Sequence, residues 1–113
     1  MKTKKKKTIK LTPVIHRMVR RIVDRFNPEQ VILFGSHARG NADSDSDVDL
    51  LVVMNIRGSK RRKRLQIRMA LHDFRVAKDI LLTSPKEFAW RKNIAGTVEQ
   101  PAFREGKVLY DRR

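Results

Sequence analysis

The sequence predicts a small α/β domain, a mixed sheet of short strands with helices packed mainly on one face. Three observations lead there. Apolar residues recur at helical spacing through residues 14–26, and short apolar runs bounded by turn residues follow. Helical and strand-like segments then interleave to the end of the chain. At 113 residues, 40% of them hydrophobic, the chain suffices for one domain with a core and leaves no room for a second of ordinary size.

Residues 1–11 read as a basic, flexible N-terminal arm, six of the first ten being lysine, and residues 12–113 as a single domain. Thr12-Pro13 offers an N-cap followed by proline at the first helical position. Val14, Ile15, Met18, Val19, Ile22, Val23 and Phe26 then form an apolar stripe opposite Arg17, Arg20, Arg21, Asp24 and Arg25. Asn27-Pro28 ends this helix. Val31–Phe34 is a buried strand, Gly35 breaks it, and a polar loop leads to a second strand over Asp47–Val53. The charge block Arg57–Arg64 runs into a helix carrying Leu65, Ile67, Met69, Leu71 and Phe74. Val76–Thr83 reads as a third strand. Ser84-Pro85-Lys86-Glu87 is a capping box that starts a helix holding Phe88 and Ile94. Phe88, Trp90 and Tyr110 read as packing residues, and the closing EGKVLYD as a turn and a short strand.

The formal net charge is +15 and the pI about 11.2, values that favour a phosphate-rich partner or substrate without identifying one. The absence of cysteine excludes disulfides, zinc–thiolate sites and cysteine nucleophiles. It also fits an intracellular protein. The basic N-terminus lacks the apolar stretch of a secretory signal, and the longest purely apolar run, Leu50–Met54, is too short to cross a bilayer. A cytoplasmic protein with no membrane partner is expected.

Against this basic background, Asp43, Asp45, Asp47 and Asp49 occupy alternate positions just before an apolar strand. In an extended strand Asp47 and Asp49 point the same way, about 6.6 Å apart. Their face continues with Leu51 and Val53, while Val48, Leu50 and Val52 take the other. The third strand repeats the design, with Ala77, Asp79, Leu81 and Thr83 on one side. Carboxylates at apolar strand positions need a compensating cation, either a metal ion or a basic side chain. If metal, all-oxygen ligands suit Mg²⁺ or Mn²⁺. The spacing imitates the start of an EF-hand, but Val48 stands where its glycine is needed and Met54 where its glutamate belongs. A strand ending in Gly35-Ser36 lets backbone approach a phosphate, with the Ser36 hydroxyl and Arg39 as further donors. Arg39 could equally brace the loop. His37 reads as a solvent-facing loop residue, and His16 and His72 show no ligand pattern.

G-S-x-A-R-G followed by S-D-x-D-L-x-V resembles the minimal nucleotidyltransferases of the DNA polymerase β superfamily, on Gly35, Ser36, Ala38, Arg39, Gly40, Ser46, Asp47, Asp49 and Leu50. The resemblance implies the polymerase-β-like fold and a transfer of a nucleoside monophosphate. It implies that Gly35 and Ser36 hold the triphosphate, and that Asp47 and Asp49 bind two Mg²⁺ ions with Asp79 as the third carboxylate. Asp43 and Asp45 fall outside the matched positions. Stand-alone members of this kind pair with a small helical HEPN-type protein and act as its antitoxin, so ATP is the expected substrate and a hydroxyl of such a partner the expected acceptor. Two other readings stay open. In one the acceptor is RNA, bound through Lys4–Lys7 and Arg57–Arg64; in the other the chain is a catalytically silent binding module.

Overall fold

A computed structural model describes residues 2–43 and 45–113. Five helices and four strands follow in the order α1 (Lys2–Phe26), β1 (Gln30–Phe34), α2 (Ser36–Arg39), β2 (Val48–Val53), α3 (Lys60–Ala70), β3 (Lys78–Thr83), α4 (Pro85–Arg91), α5 (Glu99–Glu105) and β4 (Lys107–Asp111). The strands form one mixed sheet in the order β3-β2-β1-β4. β1 pairs antiparallel with both β2 and β4, and β2 pairs parallel with β3. A parallel pair needs a crossover, which α3 supplies.

Alternation along each strand divides the apolar residues between two faces. On one, Val31, Leu33, Val48, Leu50, Val52, Ile80 and Leu82 meet Ile15, Met18, Val19 and Ile22 of α1 and Ile67 of α3. Met18, Ile22, Leu50, Ile67 and Ile80 are fully buried, each contributing about 1.5–3 kcal/mol of apolar transfer. On the other face Ile32, Leu51 and Val53 pack with Ala102 of α5, joined by Phe34, Leu81 and Phe88. The two long helices thus cover one face and the two short ones the other.

Several boundaries differ from those the sequence predicts. α1 starts well upstream of Thr12 and carries Pro13 inside it. Lysine is a good helix former, and one proline removes a single backbone hydrogen bond. α1 ends as expected, with Asn27 at φ 49° and its N–H returned to the Val23 carbonyl at 3.1 Å. α3 absorbs most of the charge block, its N-cap Ser59 accepting from Arg62 N–H. Ile67 and Leu71 of that region are buried, but Leu65 and Met69 face solvent. The Ser84 capping box forms as expected. α4 stops at Arg91, however, so Ile94 lies beyond it, and Trp90 is 59% exposed rather than packed. α5 was not foreseen. Its buried Glu99 accepts from the Thr83 hydroxyl at 2.7 Å and from Arg91 Nε at 3.2 Å, tying together β3, α4 and α5.

No helix among the described residues is long and apolar enough to cross a membrane.

Candidate active site

β1 delivers the chain to Gly35, which turns at φ 76°, ψ −157° into the single turn of α2. The Gly35 carbonyl accepts from the N–H groups of Ala38 and Arg39, both at 3.1 Å. Ser36 opens this turn, so its N–H is among those that precede any intrahelical acceptor. The polar loop of the sequence reading thus contains a short helix. Buried Ala38 anchors it to the core, and Gly40 closes it in the left-handed conformation.

Directly across from this turn stands β2, where Phe34 pairs with Asp49. The approach is so close that a Cβ on Gly35 would lie 2.2 Å from Asp49 Oδ2. On its other side β2 pairs in register with β3, bringing Asp49 level with Asp79. Both aspartates share the sheet face of Leu51 and Leu81, as alternation requires. Asp47 lies exposed at the entrance to β2. Gly35, Ser36, Asp47, Asp49 and Asp79, far apart in the chain, therefore meet at one end of the sheet.

The electrostatics record this convergence. Partial burial lifts the Asp49 carboxyl above the ordinary aspartate range, and the charges of Asp79 and then Asp47 lift it further. His37 and Arg39 pull it down. His37 is not simply solvent-facing, because its Nε2 lies 3.1 Å from the Ser46 carbonyl and pins the loop before Asp47. Arg39 Nη1 reaches Glu105 Oε1 of α5 at 3.5 Å, the bracing role foreseen beside phosphate binding. Asp43 accepts from Asp45 N–H at 2.9 Å and from the Ser46 hydroxyl at 3.2 Å, ordering the loop.

One contributor escaped the sequence reading. Arg64 of α3 donates from Nη2 to Asp79 Oδ1 at 3.2 Å and from Nε to the Ile80 carbonyl at 2.6 Å. It sat unnoticed in a run of basic residues, and only the α3 crossover places it at β3. A basic side chain thus compensates Asp79 in the structure. Among the described residues no three His, Cys, Asp or Glu side chains are already gathered to hold a metal ion. The donor chemistry nevertheless fits a hard divalent cation: all-oxygen ligands, mutual repulsion at Asp49, and a carboxylate held against the turn as only glycine at position 35 allows.

Residues 15–102 match the nucleotidyltransferase domain family. A Methanocaldococcus jannaschii protein, provisionally named a protein adenylyltransferase, is 38% identical over 55 residues, which is 49% of this chain and 54% of that relative. The match thus spans about half the length of the curated relative. Among solved structures, a provisionally named nucleotidyltransferase from Sulfolobus solfataricus superposes with a TM-score of 0.62 at 21% identity, covering 95% of this chain and 86% of that one. A toxin–antitoxin structure with AMP-PNP gives a TM-score of 0.63 at 19% identity, covering 87% and 74%. A second toxin–antitoxin structure, MntA-HpeT carrying two Asp-to-Glu changes two residues apart, gives 0.61 at 17% identity, covering 86% and 73%. At these identities the structural likenesses concern the fold.

Proposed function

The chain belongs to the nucleotidyltransferase domain family, and from that premise we propose that it transfers AMP from ATP to a hydroxyl of a partner protein, as the antitoxin of a HEPN-type toxin. The observation that carries the reaction is the in-register pairing of Asp49 with Asp79 beside the Gly35–Ser36 turn. The protein acceptor is supported by the relative's name and by the two toxin–antitoxin structures of the same fold. The two aspartates altered in one of these have the spacing of Asp47 and Asp49.

In this reading Gly35 lets the turn close against the Asp49 carboxylate, and the backbone of Gly35–Ser36 with the Ser36 hydroxyl holds the oxygens of the triphosphate. Asp47, Asp49 and Asp79 would hold two divalent ions, Mg²⁺ or Mn²⁺. When bound, these lower the pKa of the acceptor hydroxyl and neutralise charge developing at the α-phosphate. The acceptor oxygen bonds to the α-phosphorus, the bond to the bridging oxygen of the β-phosphate breaks, and pyrophosphate leaves. Asp79, at the sheet edge with its side chain 47% exposed, is the carboxylate we assign to take the acceptor's proton.

The test is transfer of label from α-labelled nucleotides with Mg²⁺, to a co-expressed helical partner and to host lysate, beside Asp47→Ala/Asp49→Ala. Label that needs both aspartates and is removed by protease but not RNase supports the reading. Label that RNase removes transfers the acceptor role to RNA. Equal labelling by wild type and variant overturns the catalytic assignment.

A further inference from the structure

Charge is spread very unevenly over this molecule. Residues 12–26 of α1 and residues 57–75, the stretch that contains α3, hold twelve of the 27 Lys and Arg but two of the 12 Asp and Glu, a net of ten positive charges. Residues 27–56 and 76–113 hold nine basic and ten acidic residues, a net of one negative charge. The helices of the two basic stretches pack on the same face of the sheet. That face is strongly cationic, while the stretches outside the two helices are nearly neutral.

The face is also built as one surface. Arg21 of α1 donates from Nη1 to the Ala70 carbonyl at the end of α3, at 3.1 Å, and pairs with Asp73. Its guanidinium carbon lies 4.5 Å from the centre of the Phe74 ring, and that of Arg17 6.0 Å away. A cleft of ≈ 600 Å³ opens between these groups, lined also by Arg20, Asp24 and Arg25, so that four arginines outnumber two aspartates. Outward on α3 stand Arg61, Arg62 and Arg68, all exposed. Toward the sheet edge the cationic tract of α3 meets the candidate site, where Arg64 pairs with Asp79.

We propose that the α1–α3 face is a docking surface for the phosphodiester backbone of single-stranded RNA. Protein–protein interfaces deplete charge at their centres, and this face does the reverse. Its arginines can grip phosphate with a planar fork that is partly pre-positioned over Phe74. Exposed Leu65 and Met69, between the outward arginines of α3, give apolar contact for sugars and unstacked bases. The inference goes beyond the transfer reaction and does not depend on it.

The test is fluorescence anisotropy with short labelled single-stranded RNA, duplex DNA and poly-glutamate, each across a KCl series. Binding of a nucleic acid should weaken linearly in log–log form with salt. For a single strand, Arg61→Gln/Arg62→Gln/Arg68→Gln should reduce the slope by about 2, since each lost phosphate contact removes about 0.7. Arg17→Gln/Arg20→Gln/Arg25→Gln should behave alike. Asp47→Ala/Asp49→Ala should bind undiminished, so failure of catalysis leaves the inference testable. Circular dichroism confirms that each triple variant is folded. Single-stranded RNA should bind more tightly than duplex DNA, and equal or tighter duplex binding would overturn the assignment. Poly-glutamate binding as tightly as either nucleic acid would reassign the face to an acidic protein. Affinity that ignores salt, or that survives both triple variants, overturns the proposal.

Discussion

Gly35→Ala is the substitution that best separates the site from the fold. A Cβ at this position would sit 2.2 Å from Asp49 Oδ2, and ordinary contact begins at 3.4 Å, so the carboxylate must retreat by more than 1 Å. The obstacle is a movable side chain, so the fold can accommodate it at the expense of the site. The backbone conformation, φ 76° and ψ −157°, adds a cost of about 1–3 kcal/mol for any residue with a side chain. Domains of this size are stable by about 5–15 kcal/mol, and most of the population should stay folded. A displacement near 1 Å at a reacting centre costs on the order of 10²-fold in rate. Gly106→Ala is the matched control. Its Cβ would meet the Ala102 carbonyl at 2.2 Å and the Leu33 carbonyl at 3.0 Å, both backbone atoms that cannot step aside. Urea midpoints together with initial rates per folded molecule should therefore show Gly35→Ala losing rate and Gly106→Ala losing stability. Full specific activity in Gly35→Ala, or equal loss of specific activity in both, would refute the reasoning.

Four further outcomes are expected. Asp49→Asn should abolish transfer yet raise the melting temperature of the Mg²⁺-free protein at neutral pH, because the folded state holds that carboxyl above its ordinary range and penalises the charged form. This gain is present in full above the raised folded pKa and disappears as pH falls below the ordinary value of 3.8, which calorimetry at several pH values would follow. Arg64→Ala should tighten Mn²⁺ binding, read by electron paramagnetic resonance, about two- to fivefold, the size of a part-exposed ion pair of ~0.5–1 kcal/mol, with Arg64→Lys in between. Glu99→Ala strands the buried Thr83 hydroxyl, so denaturation should show a loss of roughly 1–3 kcal/mol with little change in rate per folded molecule. Asp43→Ala removes the acceptor that orders its own loop but no site carboxylate, and should lower transfer far less than Asp47→Ala in a side-by-side rate assay.

The parts of this molecule that were legible beforehand are those written in periodicity and turn chemistry. The stripe from Ile15 to Ile22, the four strands and the Ser84 capping box each appear where their residues place them. Strand alternation alone put Asp49 and Asp79 on the face of Leu51 and Leu81. What the letters do not carry is register. That Asp49 lies level with Asp79, and that Gly35 abuts Asp49, follows from pairings between distant segments. α2 has four residues, too few for any period to show, and α5 hides behind Pro101 in its first turn. Trp90 reads as a packing residue yet lies exposed because hydrophobicity predicts burial only on average, and a helix as short as α4 cannot turn every apolar residue inward. Arg64 was invisible for a related reason, since one cation among many gains meaning only from its neighbour across the fold.

The parallel pairing of β2 with β3 also bears on when the site comes into being. β1 and β2 are close in sequence and can meet early, whereas β3 must wait until the whole α3 crossover has closed behind it. A chain leaving the ribosome thus exposes the Gly35–Ser36 turn and two carboxylates before Asp79 has emerged. Chemistry is expected to switch on abruptly, with the last long-range closure, so that no partly folded form spends nucleotide. Catalytic onset measured against refolding would follow the formation of that one strand pair.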